Sequence, residues 1–207
     1  MSVSTLRLDV PSGPKAESTR AAIVETAEQL FRTLGYQKTA VADIARALKM
    51  SPANIYRFFP SKAAINEAIC ARIVGGLSEL AWQVARGPGS AADRLRLLFQ
   101  TLQQQTMALA FREKRMHDMV AVAMDEHWAV IKEHVHAIDT ALRHIVMDGQ
   151  ASGEFARLDP DATGRLLHAT MIGFSHPTVM QQCMADDLPA MARDMAEFCL
   201  RALRPDH

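Results

Sequence analysis

Several things are scarce in this chain. Only three cysteines occur in 207 residues, Cys70, Cys183 and Cys199, scattered and without CxxC spacing. A disulfide framework and a thiol-rich metal knuckle are both excluded by that count, and the cysteines read as reduced. No apolar run approaches the roughly 20 residues that cross a bilayer. The opening stretch MSVSTLRLDVPSGPKAESTR has no apolar h-region, so no secretory signal and a cytoplasmic location are expected. Alternating β-branched segments are missing as well. No Gly-rich phosphate loop, HExxH or GxSxG run appears, so the chain does not read as an enzyme and calls for no cofactor.

Net charge is zero, but unevenly spread. Residues 1–62 hold nine Lys/Arg against five acids, +4, so the remainder carries −4. A basic head on an acidic body suits a head that meets a polyanion.

Nearly every stretch reads as helix, rich in Ala, Leu, Met, Glu, Gln and Arg. Pro11, Gly13 and Pro14 mark residues 1–17 as a flexible arm. Ser18 or Thr19 is expected to open a helix through Leu34, with Ile23, Ala27, Leu30, Phe31 and Leu34 inward and Gly35 ending it. Thr39 would cap a short helix from about Ala40 to Leu48. Ser51 and Pro52 form a favourable N-cap and N1 pair for a third helix to Phe59. A fourth runs from Ser61 to about Arg86, where GPGS stops it. Longer helices are expected over 91–112, 115–122, 125–149, 160–182 and 187–204.

The run SPANIYRFFPSK, 51–62, concentrates the chemistry. On a helix, Ile55, Phe58 and Phe59 share one face. Ala53, Asn54 and Arg57 share the other, with Tyr56 at the flank. Asn can pair with adenine, Arg with guanine or a phosphate, and Ala can touch a thymine methyl. A tyrosine hydroxyl can donate to a phosphate. The tight connection through Lys49 has helix-turn-helix dimensions. Lys62, beside helix N-terminal N–H groups, makes an anion site. An aromatic stripe at helical spacing is also what plain core looks like, and short helix pairs occur in many all-α proteins.

Residues 18–69 resemble the DNA-binding domain of the TetR family of bacterial transcriptional regulators. Ile23, Ala27, Leu30, Phe31, Gly35, Tyr36, Thr39, Ile44, Ala45, Ser51, Ile55, Tyr56, Phe59, Lys62 and Ala68 carry the match, with Tyr56-x-x-Phe59-x-x-Lys62 its most recognisable piece. The resemblance implies an all-α fold with a three-helix helix-turn-helix DNA-binding domain at 18–62. A helical effector-binding and dimerisation bundle at 63–207 follows. It implies a homodimer through the last two helices, bound to double-stranded, near-palindromic operator DNA. A small-molecule effector would release it, making the chain a repressor. A metal-responsive regulator, or an activator without a small effector, are the alternatives. Thr39, Tyr56 and Lys62 would hold phosphates. Lys49, Ser51, Ala53, Asn54 and Arg57 fall on the turn and the recognition helix. Lys15 and Arg20 would add backbone or minor-groove contacts. Three residues depart from the family pattern: Ala40 where a second hydroxyl is frequent, Lys49 where glycine is common, and Phe58 where histidine or tyrosine is frequent. If position 49 keeps φ > 0, lysine costs on the order of 1 kcal/mol there.

In the body, Met124, Trp128, Ile131, Val135, Ile138, Leu142 and Ile145 form a 4,3 stripe. His127 and His134 flank it; His168 and His176 follow on a later helix with Met171, Phe174 and Met180. Met124, His127, Trp128, His134, His168, Met171, Phe174 and His176 are therefore the candidate effector pocket. A metal shared by imidazoles of two helices, or partly exposed histidines beside ordinary core, fit the same residues. No metal site is assigned. His176-Pro177 should kink the penultimate helix. The last helix repeats Leu188, Met191, Met195, Phe198, Cys199 and Ala202, a stripe suited to a two-fold interface or an internal face.

Overall fold

A computed structural model describes residues 11–112, 129–176, 179–180 and 187–205. Eight helices lie among these residues: α1 (Pro14–Leu34), α2 (Val41–Ala47), α3 (Pro52–Phe58), α4 (Lys62–Ala85), α5 (Ala91–Arg112), α6 (Ala129–Ser152), α7 (Pro160–Ser175) and α8 (Leu188–Ala202). The expected helix over 115–122 falls outside the described residues. None of the described helices is long and apolar enough to cross a membrane. The chain divides into two units, Met1–Ala71 and Arg72–His207.

The N-terminal unit is a small three-helix head closed by the start of α4. Its first helix begins four residues earlier than Ser18. Pro14 occupies the first turn after Gly13, where a missing N–H costs nothing. Thr19 does not cap; its hydroxyl donates back to the Lys15 carbonyl at 2.9 Å. Ile23, Ala27 and Phe31 are fully buried, whereas Leu30 is half-buried and Leu34 is exposed at 48%. Val24 and Glu28 complete the inward face instead, with Arg32 pairing Glu28 at 2.6 Å. The start of α2 also differs from expectation. Ala40, not Thr39, is the N-cap, and the Asp43 carboxylate accepts the Ala40 N–H at 2.9 Å. That bond, opposed by desolvation and helped by Arg46, holds the Asp43 carboxyl below its usual range.

The turn from α2 to α3 is built as a Schellman motif. Met50 N–H donates to Ala45 O at 2.8 Å and Lys49 N–H to Arg46 O at 3.1 Å. The residue just past the cap of such a turn must be left-handed, and Lys49 is so, with φ 55°. Ser51 then caps α3, its Oγ accepting the Asn54 N–H at 3.2 Å.

The C-terminal unit is a bundle whose core gathers Ala81, Leu95, Leu98, Phe99, Ile138, Leu142, Ile145, Leu167, Met171, Phe174 and Ala196, among others. Of the stripe expected on α6, Ile138, Leu142 and Ile145 are buried. Val135 is 42% exposed, and Ala141 and Val146 are buried beside the stripe. Met124 and Trp128 lie outside the described residues. α6 packs along α7, and α8 packs on α5. The α6–α7 approach is close: a Cβ on Gly164 would sit 3.0 Å from the Asp139 carbonyl. Glu154 accepts from the Ala91 and Ala92 N–H groups at 3.0 and 3.1 Å, satisfying donors that the start of α5 leaves open. α7 stops at Ser175, and residues 179–180 are helical again, with the Met180 N–H on the His176 carbonyl at 2.9 Å. His176, ahead of Pro177, is extended with ψ 120°, the conformation a following proline favours. On α8, Leu188 and Cys199 are buried and Met191 and Met195 pack against the core, while Phe198 is exposed at 60% and Ala202 is exposed.

Candidate nucleic-acid interface and histidine cluster

α3 is seven residues long and two-faced. Ile55 and Phe59 are fully buried and Phe58 nearly so. Ala53, Tyr56 and Arg57 are exposed, and Asn54 is half-exposed. The apolar face anchors the helix, and its other face presents an amide, a phenol and a guanidinium to solvent. Lys49 and Ser51 are exposed at its entry. One edge thus brings together six of the eight residues expected to meet DNA, from the turn through Arg57.

Thr39 and Lys62 are placed differently. Thr39 is buried, and its hydroxyl donates to the Gly35 carbonyl at 2.9 Å. In this structure the hydroxyl is turned inward, tying the end of α1 to the start of α2. Lys62 Nζ donates to the Tyr36 and Thr39 carbonyls at 3.0 and 3.2 Å and lies 4.4 Å from the centre of the Tyr36 ring. The ammonium has three donors. Two of them tie the α1–α2 connection to the start of α4, so the lysine acts first as a staple. Arg20 is likewise occupied: its Nη1 donates to Phe58 O at 2.9 Å, and its guanidinium stacks on Phe59 at 4.1 Å. It ends α3 by taking a carbonyl the helix leaves open. Lys15 stays exposed.

Four polar side chains meet in the C-terminal unit. Ser78 on α4 lies 2.8 Å from His134 Nδ1 on α6. Asp139, also on α6, lies 2.7 Å from His168 Nδ1 on α7. Desolvation first, then the neighbouring His168 charge, push His134 down to about 4. Met171 and Phe174 are completely buried, Phe174 against Phe99 at 5.8 Å between ring centres. His176 caps the end of α7. His127 lies outside the described residues, with Met124 and Trp128. Ser78 and Asp139 were not anticipated. Asp139 stands five residues after His134, but nothing in the local sequence around Ser78 points across to α6. Among the described residues, no group of three or more His, Cys, Asp or Glu could hold a metal ion. Burial, then the Glu67 charge, push the Cys70 thiol up to about 12, leaving little thiolate for redox chemistry.

An all-α chain with a short, aromatic-anchored polar helix behind a Schellman turn defines the helix-turn-helix class of DNA-binding regulators. Comparison with known proteins narrows this. Residues 23–69 match the family model described as bacterial regulatory proteins, tetR family, and residues 91–195 match the tetracyclin repressor-like C-terminal domain. The HTH-type transcriptional regulator TtgR of Pseudomonas putida is 30% identical over 157 residues, covering 68% of this chain and 71% of TtgR. A TetR-family regulator structure from Pectobacterium atrosepticum superposes with a TM-score of 0.69 at 18% identity, over 94% of this chain and 98% of the other. FadR of Bacillus subtilis, solved with stearoyl-CoA, gives 0.63 at 18% identity over 89% and 99%. The chain belongs to the TetR family of transcriptional regulators.

Proposed function

We propose that this protein is a cytoplasmic, effector-responsive repressor that binds a near-palindromic operator as a homodimer. The observation that carries the DNA reading is the exposed face of α3 over its buried Ile55, Phe58 and Phe59. Asn54 and Arg57 read base edges, with Ala53 against a thymine methyl. Tyr56 and Lys49 grip phosphates. Thr39, Lys62 and Arg20 position that face, and Ser51 sets where α3 begins.

Dimerisation through α7 and α8 is supported by large apolar side chains left in solvent there: Leu166 at 68%, Ile172 at 47% and Phe198 at 60%. Exposed apolar residues of this size on two adjacent helices suit a protein partner. Two heads must span half-sites about 34–36 Å apart. An effector that prefers one body conformation shifts the population away from that spacing. FadR's stearoyl-CoA complex supports a small-molecule role for a body of this fold.

The test is fluorescence anisotropy of the purified chain on DNA from upstream of its own gene, against random DNA, at two salt concentrations. Tight, salt-sensitive preference for the upstream DNA is expected. Asn54→Ala and Arg57→Ala should each relax discrimination at particular base pairs by about 1–3 kcal/mol. Tyr56→Phe should weaken all DNA equally. Equal loss on both DNAs for all three variants would sink this division of roles.

A further inference from the structure

The repressor reading requires an effector and leaves its chemistry open. The proton count at the histidine cluster restricts it. Ser78 has one hydroxyl proton. The Val74 carbonyl, one turn back on α4, can only accept, and the Ser78 oxygen lies 3.0 Å from it. With the serine proton on that carbonyl, the Ser78 oxygen faces His134 Nδ1 as an acceptor, at 2.8 Å. The ring then supplies the proton between them, and Nδ1 carries it.

The ring holds no second proton near neutrality. Burial and the neighbouring His168 both oppose a charged His134. Nε2 is then a bare lone pair. Among the described residues, nothing donates to it. A neutral imidazole locked by α4 in one tautomer presents a fixed acceptor inside a helical bundle.

The burial that keeps His134 uncharged also opposes a charged ligand of either sign beside it. Asp139 already takes His168 Nδ1 at 2.7 Å, so that nitrogen is not free for a carboxylate. A carboxylate would also meet the Nε2 lone pair with lone pairs of its own.

We infer that His134 Nε2 is the hydrogen-bond acceptor for the effector, and that the effector is a neutral molecule donating an O–H or N–H, such as a phenol, an alcohol or an amide. This rests on the effector-responsive reading above. It also links ligand to helix: the effector's donor, the imidazole, Ser78 and the Val74 carbonyl form one chain of hydrogen bonds ending on the α4 backbone. Such chains polarise each other, so a donor at Nε2 strengthens the grip of Nδ1 on α4.

The test uses the full chain labelled with 15N-histidine. A long-range proton–nitrogen correlation spectrum at pH 7 reads the tautomer, with the His134 signals identified by their loss in His134→Gln. A protonated Nδ1 and an unprotonated Nε2 are expected. Phenol and benzoate are then titrated as a matched neutral and anionic pair. Phenol should move the Nε2 resonance and raise Tm; benzoate should do neither. His134→Leu should weaken the phenol response at least about tenfold, since it removes an acceptor whose partner would be left unpaired. His134→Gln, whose distal amide oxygen can accept near the Nε2 position, should restore part of it. A protonated Nε2 overturns the inference. So does benzoate binding through His134 as tightly as phenol, or an Nε2 signal that neither probe moves at tens of millimolar. Operator binding is followed in parallel on the unliganded protein. Its absence sinks the regulator reading whatever the tautomer; a wrong tautomer with operator binding intact sinks only the effector class.

Discussion

The head and the body handle polar side chains in opposite ways. In the head, α3 turns Asn54, Tyr56 and Arg57 outward on a base of buried aromatic and aliphatic residues. In the body, His134 and His168 are turned inward and answered by Ser78 and Asp139 from other turns and helices. An outward set of this kind suits a large external partner whose own groups complete the hydrogen bonds. An inward set is largely satisfied by the protein, and only what remains unanswered is available to a ligand. The first kind of site is a surface; the second is a remainder.

The largest expected effect removes the base of the outward set. Phe59 is fully buried, ends α3 and carries the Arg20 guanidinium at 4.1 Å. Phe59→Ala should cost about 3–5 kcal/mol, the range for truncating a buried aromatic. Urea unfolding would show it, and operator binding should fall with it. Normal stability would mean that the head does not depend on this ring, and the contrast between anchored face and presented face would fail.

Lys62 tests whether the head's positive charges all belong to the outward set. Its bonds to the Tyr36 and Thr39 carbonyls say that it does not. Lys62→Met should lower stability by about 1.5 kcal/mol, the low end for bonds to a charged group because the side chain is half-exposed. The dependence of operator affinity on salt should stay nearly unchanged. A salt slope smaller by about one, with stability intact, would return this lysine to the phosphates.

These two residues also show what could be read from sequence. The faces of α3 were legible because they depend on neighbours three and four residues away. A positive φ at Lys49 was suggested only by the family's frequent glycine at that position, since lysine itself does not signal a left-handed residue. The internal partners of Thr39 and Lys62 were not legible, because they are set by how the chain closes; Lys62 and the Tyr36 carbonyl are 26 residues apart. Ser78 and His134 are 56 apart, and no periodicity on α4 or α6 encodes that meeting. Val135 follows the stripe on α6 yet faces solvent, because periodicity gives the face of a helix and not where its covering ends.

Lys49 places stability and binding in opposition at one residue. Its φ of 55° is left-handed, where a side chain costs about 1–2 kcal/mol and glycine almost nothing. Lys49→Gly should therefore raise stability, by about 1 kcal/mol at most once the freer unfolded chain is counted. Operator affinity should fall at low salt, with the salt slope reduced by about one. A gain in stability with no change in the slope would show that the lysine only tolerates the turn.

The smallest effect is expected in the body, at Gly75 and Gly76 on α4. Gly149 and Gly164 have steric reasons to be glycine: a Cβ at Gly149 would collide with the Phe155 ring, and one at Gly164 would crowd the α6 backbone. Gly75 and Gly76 have none. Nothing lies within 4 Å of a Cβ at either, neither has positive φ, and both are exposed. A glycine inside a helix costs roughly 0.5–1 kcal/mol relative to alanine, so the pair weakens α4 without a packing return. It stands directly after Val74 and just before Ser78, the two α4 groups that hold His134. Gly75→Ala and Gly76→Ala should each stabilise the chain by about that amount, measured by urea unfolding. If the weakness serves the effector response, the double variant should also keep its operator affinity while losing sensitivity to a neutral donor bound at His134. Unchanged sensitivity would mean that a stiffer α4 passes the signal equally well, and that the glycines are incidental to it.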